Sequence, residues 1–254
     1  MKVRILGSGT SSGVPRIGGD WGECDPLEPR NRRTRASIIV ETATTRILVD
    51  TSPDLREQLL AARVNDIDAV IWTHDHADHC HGIDDLRQLY HARGRPIRGL
   101  ARPSTVDALT TRFSYVFEGR GAYPPIASIE PLPDQITIGD IVVAATDQPH
   151  GDILSAGLRF TAGARSIGYA TDFHALTPAM RALYAGLDLW VVDALRRRPH
   201  PSHPTLEQAL SWIVELAPGR AALVHMDQSM DYASLCLELP QGVEPGYDGL
   251  EFAL

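Results

Sequence analysis

Short apolar runs alternate along the chain with longer segments of mixed polarity, and the two patterns predict different elements. Lys2–Leu6, Ala36–Glu41, Arg46–Val49, Ala69–Thr73, Ile141–Thr146, Ser166–Thr171, Leu187–Val192 and Ala221–Val224 are rich in β-branched and other apolar residues and predict strands. Ala69-Val70-Ile71-Trp72 and Leu189-Trp190-Val191-Val192 lack alternation, which predicts burial on both faces and hence sheets covered by helices. Ser52-Pro53-Asp54 places a capping side chain ahead of a proline at the first helical position and opens a helix to about Ala62. Helical spacing recurs at Ile83–His91, Ser104–Arg112, Thr177–Ala185 and Thr205–Leu216, the last with Thr205 as its cap and Glu207 and Gln208 in the first turn. The stretch Gly7–Arg35 has little periodicity and is rich in Gly, Pro and Arg. A loop of that length inside a compact domain is usually functional.

Composition narrows the class. With 254 residues, 43% hydrophobic and 22% charged, the chain can bury one large core, and no repeat or linker divides it, so residues 1–254 read as a single domain. No apolar run approaches the ~18 residues of a membrane span, and Met1–Leu6 runs into a Gly-rich turn, not into a signal-peptide core. Cys24, Cys80 and Cys236 are odd in number and far apart, which argues against a disulfide framework and for a reducing cytosol. A cytoplasmic protein without a membrane partner is the expectation. The net charge of −8 has the wrong sign for gripping long nucleic acid. Lys2 is the sole lysine. Arginines cluster at Arg30, Arg32, Arg33 and Arg35 and again at Arg196, Arg197 and Arg198, where their planar forks suit phosphate or carboxylate and where solvated loop charge is an equally good explanation.

Thr73-His74-Asp75-His76-Ala77-Asp78-His79-Cys80-His81-Gly82 follows directly on an apolar strand. So many imidazoles and carboxylates are costly to bury unpaired and make poor core. A divalent ion supplies the missing compensation, and a tight loop at a strand end can aim several ligands inward.

The H-x-H-x-D-H spacing of His74, His76, Asp78 and His79 resembles the metallo-β-lactamase superfamily. That resemblance implies an αββα four-layer sandwich, with two β-sheets packed face to face and helices outside. It implies His74, His76 and His150 on a first metal ion, Asp78, His79 and His225 on a second, and Asp172 bridging both. His150, Asp172 and His225 each stand at the end of an apolar strand-like run, in the family's order along the chain. Cys80 and His81 fall outside the ligand positions, His91 reads as surface, His174 as a possible partner of a ligand, and His200 is left unassigned.

Gly7-Ser8-Gly9-Thr10-Ser11-Ser12-Gly13-Val14-Pro15, the loop Pro199–Leu206 and Gly246–Glu251 resemble the phosphodiesterase branch, which includes the phosphonate-pathway cyclic phosphodiesterases (PhnP-like) and the tRNA 3′-processing endonucleases. The branch implies that His203 contacts a phosphoryl oxygen or protonates the leaving alkoxide, and that Asp78 orients the nucleophile, a hydroxide shared by the ions. It implies two divalent metal ions as cofactors, with Zn2+ suiting the histidines and Mn2+ the carboxylate-containing site. Two such ions with Asp78, Asp172 and the shared hydroxide leave the cage at about +1, which suits a phosphodiester monoanion. A small phosphodiester, cyclic or open, is the expected substrate, nucleic acid is disfavoured by the acidic charge, and a homodimer is left open. The alternatives are a glyoxalase-type thioester or acyl-ester hydrolase, a tRNA-processing endonuclease, and a non-catalytic binding protein on the same fold. The chain departs from the cyclic-phosphodiesterase pattern in having Cys24 alone where a structural zinc would need several cysteines, and Gln228 in place of a late histidine. A structural zinc is therefore not expected.

Overall fold

The structure is a computed structural model that describes residues 1–254. Fourteen strands fall into two sheets. The first contains β1 (Lys2–Gly7), β2 (Ser37–Glu41), β3 (Arg46–Val49), β4 (Ala69–Trp72), β5 (Ile97–Ala101), β6 (Ala127–Pro131) and β14 (Glu251–Ala253), in the order β14-β1-β2-β3-β4-β5-β6. The second contains β7 (Gln135–Ile138), β8 (Ile141–His150), β9 (Ile153–Ala162), β10 (Arg165–Ala170), β11 (Leu189–Asp193), β12 (Arg220–Val224) and β13 (Val243–Pro245), in the order β13-β12-β11-β10-β9-β8-β7. Strands β3 to β6 run parallel, as do β10 to β13, and the remaining pairs are antiparallel.

Three apolar clusters define the layers. The largest lies between the sheets, where Val3, Ile5, Ile38, Val40 and Ile71 of the first meet Val143, Leu158, Phe160, Ile167 and Val191 of the second. A second cluster covers the outer face of the first sheet under helices α1 (Leu55–Ala62), α2 (Ala77–Cys80), α3 (Leu86–Arg93), α4 (Pro103–Arg112) and α5 (Ser114–Phe117). A third covers the outer face of the second sheet under α6 (Pro178–Tyr184), α7 (Leu206–Leu216) and α8 (Tyr232–Glu238). Trp72 and Trp190, fully buried on β4 and β11, point into these outer clusters. Continuous apolar runs are thus buried on both faces, and the αββα sandwich follows.

Local signals act as expected at several ends. Thr205 caps α7 in a reciprocal box with Gln208, each side chain meeting the other's backbone N–H. Ser52 accepts the backbone N–H of Asp54 in the turn before α1, whose helical hydrogen bonding starts at Leu55. The predicted helix Ile83–His91 divides into a 3-10 turn at Ile83–Asp85 and α3, which ends at Gly94 in the left-handed conformation.

The loop 8–36 is tied down at both ends. Met226 N–H donates to the Ser8 carbonyl at 3.0 Å and Thr10 N–H to the Met226 carbonyl at 3.2 Å, beside His225. Asp248 accepts four hydrogen bonds, from the backbone N–H and hydroxyl of Ser8 (both 2.9 Å) and of Thr34 (2.7 and 2.6 Å). Removing an ionised acceptor strands several partly buried donors. Asp248→Ala is therefore expected to lower stability by about 3 kcal/mol, measured by urea unfolding; a loss under about 0.5 kcal/mol would show that the loop is held elsewhere.

Candidate metal centre

Parallel sheets of an α/β protein present their ligand-binding loops at the carboxyl ends of the strands. Here His74 follows β4, His150 closes β8, Asp172 follows β10, Asp193 closes β11, His225 follows β12 and Asp50 follows β3. Asp50, Asp172 and His225 adopt φ values of 65°, 57° and 59°. For a residue with a Cβ, the left-handed region is sparsely occupied and costs on the order of 1–3 kcal/mol when the surroundings impose it. The two other non-glycine cases, Arg63 and Ala217, terminate helices. Backbone strain outside helix ends is thus concentrated at this one site.

All seven predicted ligands converge. His74 Nε2 lies 3.9 Å and His150 Nε2 3.5 Å from Asp172 Oδ1, and His150 Nε2 lies 3.3 Å from His76 Nδ1. On the other side His79 Nε2 lies 3.1 Å and His225 Nε2 3.5 Å from Asp172 Oδ2, while Asp78 Oδ2 is 3.3 Å and 3.5 Å from the same two nitrogens. The Asp172 carboxylate therefore divides its oxygens between two clusters. Donors around one tetrahedral ion at about 2.0–2.1 Å are spaced by about 3.3–3.4 Å, which these separations match. His74 Nε2, His79 Nε2 and both ring nitrogens of His225 are buried without a hydrogen-bond partner. Orphaned buried nitrogens facing shared carboxylates fit divalent metal ions, and two groupings, His74-His76-His150-Asp172 and Asp78-His79-His225, have the geometry for one.

The electrostatics carry the same signature. Burial opposes charge on His79, but Asp172, Asp78 and Asp50 outweigh it and hold the imidazolium well above its usual range. Burial likewise opposes charge on His225, and Asp172, Asp193 and Asp78 push it up to about 9. Burial raises Asp172 and Asp78, yet the neighbouring histidines drive both well below the usual carboxylate range. His74, burdened by burial and then by His79, is held well below its normal value. The carboxylates thus favour positive charge at the positions of His79 and His225, the charge that a divalent ion would supply.

The rings are oriented from behind. His79 Nδ1 donates to Asp50 Oδ2 at 2.7 Å, and Asp50 also accepts the Thr73 backbone N–H at 2.8 Å. His150 Nδ1 donates to the Ser202 carbonyl at 2.9 Å, and Thr73 Oγ1 meets His74 Nδ1 at 3.0 Å. Such partners fix the tautomer and the ring plane of a ligand. The histidine loop itself is braced by Thr51, whose N–H donates to the His79 carbonyl at 2.8 Å, and by the close approach of Gly82 to Ser52, where a Cβ would fall 1.9 Å from the carbonyl oxygen.

His203 sits over Asp172, with Nε2 3.7 Å from Oδ1 and its ring between those of His150 and His225 at 4.8 and 4.7 Å. Its Nδ1 donates to Asp193 Oδ2 at 2.8 Å, and the same oxygen accepts the Asp172 backbone N–H at 3.0 Å. Asp172, Asp193, His203 and His225 could also surround an ion. A 2.8 Å contact is however hydrogen-bond length, so Asp193 reads as the orienter that leaves His203 Nε2 free. Asp50 and Asp193, both fully buried, are site residues that the sequence reading missed. Each is the first carboxylate after an apolar strand, the same signal that marks Asp172.

Other candidates fall outside the cage. His81 is exposed beside Phe113, His91 is exposed on α3, and Cys80 donates to the Asp75 carbonyl. The first arginine cluster is spent structurally: Arg30 pairs with Glu28 and stacks on Tyr232, Arg32 lies over Trp21, and Arg35 pairs with Asp54. Arg33 is 2% exposed and donates to the Met230 carbonyl (2.6 Å), Asn31 and Cys24 Sγ (3.6 Å), tying the loop to the segment after His225.

The family model for the beta-lactamase superfamily domain matches residues 45–226. A solved structure described as a new diphosphatase from the PhnP family superposes with a TM-score of 0.90 at 33% identity, covering 99% of this chain and 97% of that one. Human tRNase Z, short form, superposes with a TM-score of 0.72 at 17% identity over 100% and 99% of the two chains, which shows a shared fold. Among curated proteins, an octanoyltransferase of Porphyromonas gingivalis is 34% identical over 259 residues; the match covers 99% of this chain and 51% of that relative, so the chain spans about half its length. The chain belongs to the beta-lactamase superfamily and, within it, to the PhnP family. Its fold and donor set are those of a metal-dependent hydrolase.

Proposed function

We propose that this chain is a phosphodiesterase acting on a small anionic phosphodiester with two divalent metal ions, zinc or manganese, held by His74, His76, His150, Asp172, Asp78, His79 and His225. The observation that carries this reading is the Asp172 carboxylate, shared between two histidine clusters with the His203–Asp193 pair directly above it. Two divalent ions supply charge that neutralises a phosphoryl group and a water acidified towards neutral pH. Asp78, whose side chain is 12% exposed, would orient the attacking water with the oxygen that does not face His79 and His225. His203, with Nδ1 anchored on Asp193, offers Nε2–H to a phosphoryl oxygen or to the departing alkoxide. The rings of His150 and His225 on either side fix its plane and narrow the space left to water.

Residues 1–254 act as one hydrolase domain in this reading, in the cytoplasm, where the free Cys24, Cys80 and Cys236 stay reduced. Long RNA is disfavoured as a substrate: the net charge is −8, and Arg30, Arg33 and Arg35 already have partners within the protein. The octanoyltransferase name belongs to a relative about twice as long. It keeps acyl-thioester hydrolysis as the second reading, against which His203 and Asp193 stand.

Hydrolysis of bis-p-nitrophenyl phosphate, an acyl-glutathione and a tRNA precursor by zinc- or manganese-loaded protein decides among these. Activity on the first is expected; activity on the acyl-glutathione alone would favour the thioesterase, and on the tRNA alone the endonuclease. Inertness towards all three would favour a binding protein. Metal loading is also expected to raise the thermal midpoint by about 5–10 °C at a hundredfold excess over Kd. His79 and His225 must be neutral to bind an ion while the carboxylates favour their charged forms, so affinity is expected to rise with pH; calorimetry showing no proton release would contradict the ligand assignment.

A further inference from the structure

The polar groups that fix the backbone of Asp172 belong to a buried chain of hydrogen bonds running out to helix α6. Asp172 lies beyond the end of β10, and neither its N–H nor its carbonyl enters a backbone–backbone hydrogen bond. The N–H goes to Asp193 Oδ2, and the carbonyl accepts the Ser155 hydroxyl at 2.7 Å. The preceding carbonyl, that of Thr171, accepts Gln148 Nε2–H at 3.0 Å, and the second hydrogen of that amide reaches Ser155 Oγ at 3.1 Å. Gln148 Oε1 accepts the Tyr184 hydroxyl at 2.9 Å, with the Tyr169 carbonyl 3.0 Å from the same hydroxyl. A carbonyl has no hydrogen to offer, so the amide nitrogen of Gln148 must face Thr171. The donors from Tyr184 through Gln148 and Ser155 therefore point in sequence towards Asp172. The Thr171 hydroxyl meets the carboxylate itself, donating to Oδ2 at 2.6 Å.

Gln148, Ser155, Thr171 and Tyr184 are all fully buried, and none of their side-chain polar atoms lacks a partner. Apolar side chains would fill this wall without needing every donor matched, because a partly satisfied polar network is costlier than none. The fold also makes room for these groups. Gln148 faces Ser155 across β8 and β9, and at Gly157, one pleat further along β9, a Cβ would fall 2.3 Å from the Tyr184 hydroxyl and 2.7 Å from Gln148 Oε1. At the inner end of the chain stands the φ of 57° at Asp172, a conformation that persists only where the surroundings over-determine it. The N–H and the carbonyl of that residue are both held by side chains, and the carboxylate can then turn one oxygen to each histidine cluster.

We propose that Ser155, Gln148 and Tyr184 are positioning residues for the metal cage: they hold the Asp172 backbone in its left-handed turn and so set the carboxylate that faces both ion positions. This rests on the two-metal reading of Asp172. None of the three touches substrate or ion; each acts through the backbone on either side of the bridging carboxylate.

The test measures zinc affinity, by competition with a chromophoric chelator, for wild type, Ser155→Ala, Ser155→Thr and Tyr184→Phe. It is run beside bis-p-nitrophenyl phosphate kinetics of the zinc-loaded proteins and the thermal midpoints of the metal-free ones. Val116→Ala, in the apolar cluster on the far side of the other sheet, controls for a general loss of stability. Ser155→Ala is expected to weaken zinc binding by about 10–100-fold and to lower kcat by a similar factor, with KM little changed. Tyr184→Phe keeps the ring and acts one link further out, so a loss of about three- to tenfold is expected, that of one neutral hydrogen bond. Ser155→Thr, which keeps the hydroxyl, is expected to recover most of the Ser155→Ala loss. The control is expected to lower the midpoint while its zinc affinity stays that of wild type. Zinc affinity and kcat as unaffected in Ser155→Ala and Tyr184→Phe as in the control would overturn the positioning role and leave the two-metal reading intact. Wild type that binds two zinc ions but cleaves no phosphodiester would remove the phosphodiesterase reading, and the affinities alone would then decide the positioning role. Wild type that binds no zinc would overturn both.

Discussion

Asp172→Ala is expected to leave at most one metal ion per chain and to lower turnover of a phosphodiester by about 10³-fold or more, because a lost metal removes several kcal/mol of transition-state stabilisation. The size follows from geometry. Asp172 is the one carboxylate that faces His74 and His150 with one oxygen and His79 and His225 with the other. Its loss breaks both clusters at once, whereas replacing His74 or His225 touches one. Its φ of 57° also relaxes only if the backbone between β10 and the following loop is rebuilt. Metal analysis of the purified variant beside a rate measurement checks the expectation. Two ions retained with near wild-type turnover would show that the carboxylate bridges nothing.

His203→Ala is expected to keep the metals and lose about 10²–10⁴-fold in kcat, the usual worth of a positioned general acid. Asp193→Asn probes the same role from behind. The amide oxygen can still accept the His203 Nδ1–H and the Asp172 backbone N–H, but it lacks the negative charge that strengthens both bonds and holds the ring in place. A loss of about 10–100-fold in kcat is expected. A His203→Ala enzyme with full turnover would take this histidine out of the chemistry and reduce Asp193 to a prop for the Asp172 backbone.

Much of this site is legible in one dimension because its ligands sit in a short loop or directly after apolar runs. His74, His76, Asp78 and His79 share one turn after β4, while His150, Asp172 and His225 each stand at the end of a strand or one to two residues beyond it. Asp50 and Asp193 are not legible in the sequence. Their use depends on which ring faces them, and β3 and β11 only meet those rings after folding. The arginine cluster Arg30–Arg35 shows the opposite failure: its pattern suggested anion contacts, yet partners distant in sequence, such as Met230 for Arg33, consume it.

The strands that the apolar pattern does not predict have physical reasons too. Strand β5 carries Arg98 and Gly99 between apolar residues, and Gly99 is required there, since a Cβ would fall 2.5 Å from the Trp72 ring. Strand β6 is a largely exposed edge ending in Pro131, and β9 mixes Gly157, Arg159 and Thr161 into an otherwise buried run. The short β13 and β14 are set by pairing partners, not by their own composition. Periodicity thus reports most of the central strands and misses the edges together with the interior strands β5 and β9.

The most direct test of the account is the position and number of metal ions in crystals of the zinc- or manganese-loaded protein, located by anomalous scattering. Two peaks are expected, one among His74, His76, His150 and Asp172 and the other among Asp78, His79, His225 and Asp172. No peak inside this ring of side chains at saturating metal would contradict it.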